Sequence, residues 1–324
     1  MAKKIKSMIL NIGSTSVKYA VFEGKVLVSK DKTSDILKEI AKQKPDQIIV
    51  RIVYGGDKFL EPIELTSVNI KKLRKYDSFA PLHNPVTFDW VDKIMKKFKG
   101  IELIGVFDSA YHSTISKGRN VIPISLALAK HCEISKHGYH GFSHQYIAQE
   151  YARRFKAADY RIITCHLGGG SSICAIENGI SVATSMGFGP EEGLMMVKRV
   201  GNIGANAVLH ILDKSGLSIN DLRKEIYTNS GFLGLTGSDD VKAIFSSKDE
   251  KCKLAVEVFV NSIIDYIGSY YLLLKGADAV ILTGGIGENS TILQKIIREK
   301  VKFLGLDVIV IPTFEELMML ESVE

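Results

Sequence analysis

The feature that most constrains the fold is a strand, Gly-rich turn and strand that occurs twice. Residues 163–179, ITCHLGGGSSICAIENG, hold a β-branched run that stops at three glycines and resumes after two serines. Residues 10–24, LNIGSTSVKYAVFEG, fall on residues 165–179 without a gap, with Asn11 over His166. A further short strand follows each copy. The chain is therefore expected to contain one hairpin twice, and with it a duplicated sheet core.

The turns of both copies are rich in Gly, Ser and Thr. Such turns offer backbone N–H groups and hydroxyls, which is one way to hold phosphates. Taken singly, each is equally compatible with an ordinary Gly-rich hairpin, since glycine marks turns more often than sites. The gapless match between the copies favours phosphate binding. The sequence contains neither G-x-x-x-x-G-K-[ST] nor G-x-G-x-x-G, which excludes a P-loop and a Rossmann fingerprint.

Composition narrows the class of protein. The chain has 324 residues, 46% hydrophobic and 24% charged, enough for two globular domains. Its four cysteines have no paired spacing, which argues against a disulfide framework or a zinc site. A net charge of +6 without a dense Lys/Arg block suits small anionic ligands and argues against nucleic acid. With no signal peptide and no apolar run of membrane length, we expect a cytoplasmic protein without a membrane partner.

Charged residues stand at predicted strands. Arg51 lies in the apolar run of residues 48–53, where a buried guanidinium must find an anion unless its side chain reaches solvent from the strand end. Asp108 follows the predicted strand 101–107, at the carboxyl end where ligands lie in open α/β sheets. Arg199 follows a Gly-rich loop and is a second candidate for binding an anion.

Three further segments are candidates for ligand binding. Residues 137–144, HGYHGFSH, carry three histidines before a helix, but no Cys or carboxylate cluster accompanies them, so zinc is disfavoured. His83, in the turn of residues 80–85, either stabilises that turn or contacts a ligand. Residues 279–290 read as strand, Gly-rich turn and helix start, which is typical of a nucleotide site. Together these features predict a two-domain phosphotransferase or ATPase.

Nine motifs in order resemble those of the acetate kinases, within the superfamily of acetate and sugar kinases, heat-shock ATPases and actin. They are Asn11-x-Gly-Ser-x-Ser-x-Lys18, Arg51-x-Val-x-Gly-Gly56, Ala80-Pro-Leu-His-Asn-Pro85, Val106-Phe-Asp108, Gly138-Tyr-His-Gly-x-Ser-His144, His166-Leu-Gly-x-Gly170, Thr184-Ser-Met-Gly-Phe188, Gly285-Ile-Gly-Glu-Asn-Ser290 and Ile311-Pro-Thr-x-Glu-Glu316. The resemblance implies an α/β, two-domain actin-like ATPase fold with a duplicated β-hairpin/sheet core and a central cleft. It also implies a smaller substrate and phosphate domain, residues 1–112 with a C-terminal helix at 316–324, and a larger nucleotide-binding and dimerisation domain, residues 113–315.

The activity that the resemblance implies is reversible, Mg²⁺-dependent phosphoryl transfer between ATP and acetate, giving acetyl phosphate and ADP. A carboxylate is already ionised near pH 7 and needs no base to attack phosphorus. Catalysis is then positioning plus neutralisation of charge. The implied partners are ATP or ADP, a short-chain carboxylate or acyl phosphate, and a second copy in a homodimer. Two alternatives stay open: a propionate or butyrate kinase, and a non-enzymatic nucleotide-binding relative with a degenerate site.

The resemblance also assigns roles to residues of this chain. The catalytic residues are Asp108, His140, Arg199 and Arg51. The substrate-binding residues are Arg51, Val53, Leu82, His83, Tyr139 and Pro190. The residues that bind ATP are Ser14, Ser16, Lys18, His166, Leu167, Gly168, Gly169, Gly170, Asp240, Val241, Lys242, Gly285, Ile286, Gly287, Glu288 and Asn289. The residues for Mg²⁺ are Asn11 and Glu315.

Several positions depart from the family's pattern. Gly169 stands for an Asn in the phosphate loop, Gly204 for an Asp after Arg199, and Lys242 for an Arg beside the adenosine. Tyr139 adds a hydroxyl where Phe is usual, and the chain is shorter than typical relatives. Because a structural descendant has no physical need for clustered charges, their retention favours the enzyme over the non-enzymatic relative.

Overall fold

The computed structural model describes residues 4–13, 17–81 and 83–324. The predicted ATP-binding residues Ser14 and Ser16 and the predicted substrate residue Leu82 lie outside these described residues. The chain divides into two compact units. The smaller unit comprises Met1–Ser113, Gly141–Tyr146 and Phe314–Glu324, and the larger unit comprises Thr114–His140 and Ile147–Thr313.

Strands and helices alternate through the described part of the chain. Its β-strands are β1 (Lys6–Ile12), β2 (Val17–Glu23), β3 (Val26–Thr33), β4 (Gln47–Ile52), β5 (Ile63–Glu64), β6 (Glu102–Phe107), β7 (Arg161–Leu167), β8 (Ser171–Glu177), β9 (Ile180–Thr184), β10 (Ala279–Thr283) and β11 (Asp307–Val310). Its α-helices are α1 (Ile36–Gln43), α2 (Ser67–Leu73), α3 (Asn84–Lys97), α4 (Lys117–Asn120), α5 (Leu126–His131), α6 (Gly141–Phe155), α7 (Ala205–Ser215), α8 (Ile219–Lys224), α9 (Gly231–Thr236), α10 (Val241–Ser246), α11 (Glu250–Leu273), α12 (Gly284–Asn289), α13 (Thr291–Val301) and α14 (Glu315–Glu321).

Each unit contains one mixed sheet, and the two sheets share a strand order. In the smaller unit the described strands run β3-β2-β1-β4-β6-β5, and in the larger unit β11-β10-β7-β8-β9. In each unit the three strands that come first along the chain, β1 to β3 and β7 to β9, form antiparallel pairs. Two later strands, β4 and β6 or β10 and β11, then extend the sheet in parallel from β1 or β7. Five strands therefore repeat, β3-β2-β1-β4-β6 as β9-β8-β7-β10-β11. This confirms the α/β class and the duplicated hairpin predicted from the sequence.

The two hairpins differ by one residue in the number of residues between their paired strands. Four residues separate Ile12 from its partner Val17, whereas three separate Leu167 from its partner Ser171. The residue opposite Asn11 is therefore Lys18, and the residue opposite His166 is Ser172. Because turn length sets the register of a hairpin, the gapless alignment matches the first strands of the copies but misplaces the second strands by one residue.

Helices cover the sheets by burying one apolar face. In the smaller unit α14 packs Met318, Met319 and Leu320 with sheet residues that include Ile9 and Phe22. In the larger unit the longest helix of the described residues is α11, which buries Phe259 and Ile263 but leaves Leu254 and Leu272 exposed, so it is buried on one face only. Among the described residues, no helix is both long enough and apolar enough to cross a membrane.

The backbone sets where α6 begins. Asp108 is followed by a 3₁₀ turn at Asp108–Thr114 and then by α4. His140 takes the left-handed conformation (φ 57°), α6 begins directly after it, and Ser143 lies inside the helix. At Gly141 any Cβ would overlap the carbonyl oxygen of Asp108, so this first helical position requires glycine.

Candidate active site

In the smaller unit the predicted site residues form a hydrogen-bonded chain around Arg51. This residue lies on β4, and its side chain is 11% exposed. Its Nη2 donates to Oδ2 of Asp108 at 2.7 Å, and its Nη1 donates to Oδ1 of Asn11 at 3.2 Å. The Nε atom is buried without a hydrogen-bond partner. The anion that the sequence required for Arg51 is therefore Asp108, and the Nε–H group is left without a partner.

The backbone beside it holds Asp108 in place. Its side chain is 1% exposed, and besides the ion pair its Oδ1 accepts the backbone N–H of Phe142 at 3.3 Å. Phe142 lies in the first turn of α6, directly after the close approach at Gly141. The strand end at β6 and the helix start at α6 together fix the carboxylate, and through it the guanidinium.

Asn11 and Glu315 continue the chain of hydrogen bonds. Nδ2 of Asn11 donates to Oε2 of Glu315 at 3.1 Å. Burial raises the pKa of Glu315, while Arg51 acts in the opposite direction. Burial by itself lowers the pKa of Arg51, but Asp108 and Glu315 outweigh it, and the pKa of the guanidinium is raised overall. Two carboxyl groups, those of Asp108 and Glu315, thus act on one buried cation.

This donor set fits Mg²⁺. Among the described residues no group of three or more His, Cys, Asp or Glu side chains is arranged to hold a metal ion. Mg²⁺ does not need such a cage, because it keeps several waters and binds proteins through one or two carboxylates together with substrate phosphates. The amide oxygen of Asn11 and the carboxylate of Glu315 are oxygen ligands of this kind. Lys18 lies opposite Asn11 on β2, and its positive charge acts to lower the pKa of Glu315.

The described substrate residues predicted in the smaller unit are Val53, two residues after Arg51, and His83, in the turn before α3. Val53 follows β4 and is 5% exposed. His83 lies directly before α3, and its backbone N–H donates to the carbonyl oxygen of Ala80 at 2.9 Å. The remaining predicted substrate residues, Tyr139 and Pro190, belong to the larger unit, where both are buried.

In the larger unit two histidines stack beside the Gly-rich turn. The rings of His140 and His166 lie 4.3 Å apart and nearly parallel, at 25°. Nδ1 of His140 lies 2.9 Å from Oγ of Ser172, which the shorter hairpin turn sets opposite His166. A Cβ at Gly170 would lie 3.2 Å from both Nε2 of His140 and Nη1 of Arg199. The turn, His140 and Arg199 therefore meet at Gly170.

Arg199 is a buried cation that donates to a carbonyl group. Its Nη1 donates to the carbonyl oxygen of Pro190 at 3.1 Å. Burial lowers the pKa of Arg199, against the opposing effect of the Glu191 carboxylate. The hydroxyl of Tyr139 donates to the carbonyl oxygen of Phe188 at 2.9 Å, so the extra hydroxyl at this position is already bonded. Sequence reasoning gave no role to Glu191, whose only signal was a carboxylate where the family carries Leu.

The rest of the predicted ATP-binding set splits into turn residues and structural anchors. The backbone N–H of Gly168 donates to the carbonyl oxygen of Gly170 at 3.1 Å and closes the turn, while Gly169 is exposed at its tip. Leu167 ends β7. Glu288 Oε1 accepts from the backbone N–H groups of Gly284 at 2.8 Å and Thr313 at 3.1 Å, so its observed contacts stabilise the start of α12.

The other members of the set lie at two short helices, α10 and α12. Asp240 caps α10 by accepting the backbone N–H of Ala243 at 3.0 Å, with Val241 and Lys242 in the first turn that follows. In α12, Asn289 is exposed and its Nδ2 donates to the carbonyl oxygen of Gly285 at 2.8 Å. Ile286 and Gly287 lie between these two residues on the same helix. Asp240, like Glu288, thus has a structural contact in addition to its predicted role.

Known proteins resemble the chain in sequence. The sequence profile of the Acetokinase family matches residues 28–312. The acetate kinase of Bacillus cytotoxicus is 34% identical over 302 residues, which cover 84% of this chain and 76% of the relative. The acetate kinase of Phytoplasma mali is 38% identical over 259 residues, which cover 79% of this chain and 66% of the relative.

Solved structures resemble it in fold as well. The acetate kinase of Porphyromonas gingivalis has a TM-score of 0.86 and 28% identity, and the match covers 98% of both chains. A propionate kinase from Francisella tularensis has a TM-score of 0.90 and 28% identity, with the same coverage. Given a profile match over most of its length, and relatives above 30% identity over more than three quarters of it, the chain belongs to the acetokinase family.

Proposed function

We propose that the protein is an acetate kinase, which transfers the γ-phosphoryl group of ATP to acetate to give acetyl phosphate and ADP, and catalyses the reverse reaction. In this member of the acetokinase family, one observation carries the proposal: the chain of hydrogen bonds from Asp108 through Arg51 and Asn11 to Glu315. It combines a cation for a carboxylate substrate with oxygen ligands for a metal–nucleotide complex.

Arg51 binds the substrate carboxylate in this proposal. The unpartnered Nε–H faces a buried setting, where a charge-assisted hydrogen bond to an anion is strong. Asp108 orients the guanidinium through Nη2 and keeps it in place when no substrate is bound. Val53, Leu82, His83, Tyr139 and Pro190 are the proposed apolar and turn contacts of the substrate.

The chemistry needs no general base. An oxygen of acetate, ionised near pH 7, forms a bond to the γ-phosphorus, and the bond from that phosphorus to the bridging oxygen of ADP breaks. No proton is transferred, and negative charge is redistributed over the three equatorial oxygens and the leaving oxygen. The protein's task is to hold the reactants in line and to neutralise that charge.

His140 and Arg199 are the proposed partners of the transferred phosphoryl group. Arginine stays protonated in proteins, so Arg199 supplies a full positive charge beside Gly170. If Nδ1 of His140 accepts the hydroxyl proton of Ser172, Nε2 carries the ring proton and donates it as a hydrogen bond to phosphoryl oxygen.

The cofactor we propose is Mg²⁺, held by Asn11 and Glu315. When bound, it supplies positive charge that binds and orients the nucleotide phosphates. The turn Gly168–Gly170 and the start of α12 at Gly285 are proposed to bind the phosphates through backbone N–H groups. Lys18 and the residues Asp240–Lys242 are the proposed further contacts of the nucleotide.

We also propose that the protein acts in the cytoplasm as a homodimer. Its larger unit exposes large apolar side chains, among them Leu126 and Leu272, each 78% exposed. Exposed apolar surface of this kind supports association through that unit. Light scattering on the purified protein tests the stoichiometry, and a monomer at micromolar concentration would contradict the dimer.

The function is tested by a coupled assay for acetyl phosphate with ATP, Mg²⁺ and acetate. The expected result is turnover that saturates with acetate and disappears when Mg²⁺ is removed. Propionate and butyrate are assayed alongside, because a match between butyrate and acetate would move the substrate to the longer acids. Nucleotide binding without turnover on any of the three acids would support the non-enzymatic relative instead.

A further inference from the structure

One ammonium group contacts both sequence neighbours of Glu315. Nζ of Lys30 lies 2.7 Å from Oε2 of Glu316 and 4.7 Å from the ring centroid of Phe314. The side chain of Glu316 is only 5% exposed, whereas that of Lys30 is 43% exposed. A carboxylate this buried is costly without a cation, and Lys30 supplies that cation for Glu316.

Phe314 is held on further sides by aromatic rings. Its centroid lies 5.9 Å from that of Phe22 on β2 and 6.3 Å from that of Tyr146 in α6. The ammonium group of Lys30 adds a cation–π contact to this aromatic group. The residue before Glu315 is therefore fixed by contacts from β2, β3 and α6.

These contacts are important because α14 has little of its own to fix its first turn. The helix has seven residues, and its N-cap residue, Phe314, forms no side-chain capping bond. A helix this short is not stable alone, so its orientation depends on tertiary contacts. Successive helical residues point about 100° apart. Glu316 bonded to Lys30 is thus compatible with Glu315 bonded to Asn11, 3.1 Å away.

We propose that Lys30 and Phe314 act as a positioning clamp for Glu315. Lys30 contacts the residue after Glu315, which is Glu316, and the residue before it, which is Phe314. These contacts hold the carboxylate of Glu315 where it binds the metal of the metal–nucleotide complex. The proposal rests on the proposed function, since it takes Glu315 as a metal ligand. Lys30 is a positioning residue: it acts on the metal through Glu315.

The test measures metal binding directly, with Mn²⁺ as the probe. Free Mn²⁺ is followed by electron paramagnetic resonance as it is titrated into protein with saturating ADP. Lys30→Met keeps the apolar stem and removes the charge, and Glu316→Gln keeps the shape and removes the partner. Lys25→Met is the matched control, because Lys25 lies beside β3 and bridges Glu324 at 2.6 Å in an exposed pair.

Each test variant is expected to weaken Mn²⁺ binding by about ten-fold, as for loss of an outer-shell partner of a metal ligand. Lys25→Met should stay within about two-fold of the unmodified protein, since an exposed ion pair contributes little. The double variant Lys30→Met/Glu316→Gln should bind Mn²⁺ no more weakly than the weaker single variant, because both changes break one contact. Should Lys30→Met not fold, Glu316→Gln carries the test.

Two results would overturn the clamp. One is a folded Lys30→Met or Glu316→Gln protein that melts at a lower temperature but binds Mn²⁺ as tightly as the unmodified protein, which would make the pair purely structural. The other is an equal loss of affinity in Lys25→Met. These results are separate from the failure of the proposed function, which would appear as absent acetyl phosphate formation by the unmodified protein.

Discussion

Replacing Arg199 should separate activity from stability. The change is Arg199→Met, which keeps an unbranched side chain and removes the guanidinium. In the proposed reaction this cation meets charge that develops on the phosphoryl group, so its loss acts on the transition state. Loss of one such donor reduces kcat by roughly two to three orders of magnitude, equivalent to about 3–4 kcal/mol.

The free energy of unfolding should behave differently. The pKa of Arg199 is lowered by burial, so the charged side chain is less favourable in the fold than in the unfolded chain, and its removal relieves that cost. Against this gain stands the loss of one hydrogen bond to the carbonyl oxygen of Pro190, about 1 kcal/mol. The two effects have opposite signs, so we expect the free energy of unfolding to fall by less than the roughly 3 kcal/mol that the loss of a structural buried residue costs.

Two measurements on the same preparation decide the matter. Steady-state kinetics with saturating acetate give kcat, and denaturant titration without ligands gives the free energy of unfolding. Arg298→Met, an exposed arginine on α13, is the control and should change neither quantity. The reasoning is refuted if Arg199→Met keeps kcat within ten-fold while the free energy of unfolding falls by more than about 3 kcal/mol, because Arg199 would then be a structural residue.

Four other changes have defined outcomes. Arg51→Gln should raise the KM for acetate by about ten-fold or more and, by leaving the buried Asp108 without its cation, lower the free energy of unfolding by about 3–5 kcal/mol; kinetics and denaturant titration measure both. The kcat/KM for acetate should be about ten-fold higher than that for propionate. In competition kinetics, Val53→Ala should reduce this preference for acetate, because the smaller side chain opens space for one methylene. Burial lowers the pKa of His137 to about 4. The free energy of unfolding should therefore not depend on His137 above its unfolded pKa near 6.5, and it should fall by about 1.4 kcal/mol per pH unit from there towards pH 4. Urea titrations across that range measure this dependence, and His137→Asn should flatten the curve. Gly169→Asn should leave the fold intact, since a Cβ there meets nothing within 4 Å, and lower the KM for ATP if an amide at this tip contacts phosphate.

Most of the fold followed from local patterns. The β-branched runs and Gly-rich turns gave the strands of both hairpins, and the internal match predicted the duplication that the sheet orders confirm. The register of the second strands could not be predicted in this way. A gapless alignment counts residues along the chain, whereas pairing depends on how many residues separate the two strands, four after Ile12 and three after Leu167.

For the site, the sequence predicted that a buried group requires a partner more readily than it predicted which residue that partner is. It required an anion for Arg51, and the partner followed only once β4 and β6 were known to be parallel neighbours, with Arg51 opposite Val106 and Asp108 two residues beyond. The contact of His140 with Ser172 depends on a left-handed backbone and on the shorter turn, neither of which has a sequence signature strong enough to predict. Lys30 and Glu316 are 286 residues apart, and a lysine on an edge strand is ordinary by itself.

The position of Glu315 illustrates why a site residue near the end of such a chain depends on packing. Isolated helices need about 12–15 residues to be even marginally stable, and α14 has seven. Its Met318, Met319 and Leu320 are at most 2% exposed, and burying three such side chains contributes roughly 5–9 kcal/mol as an upper limit. That apolar contact lies in the second half of the helix, so the direction of its first turn depends on the contacts of Phe314 and Glu316. It follows that changes at Met318 to Leu320 act on the stability of the whole unit, whereas changes at Lys30 and Phe314 act on the direction of one carboxylate.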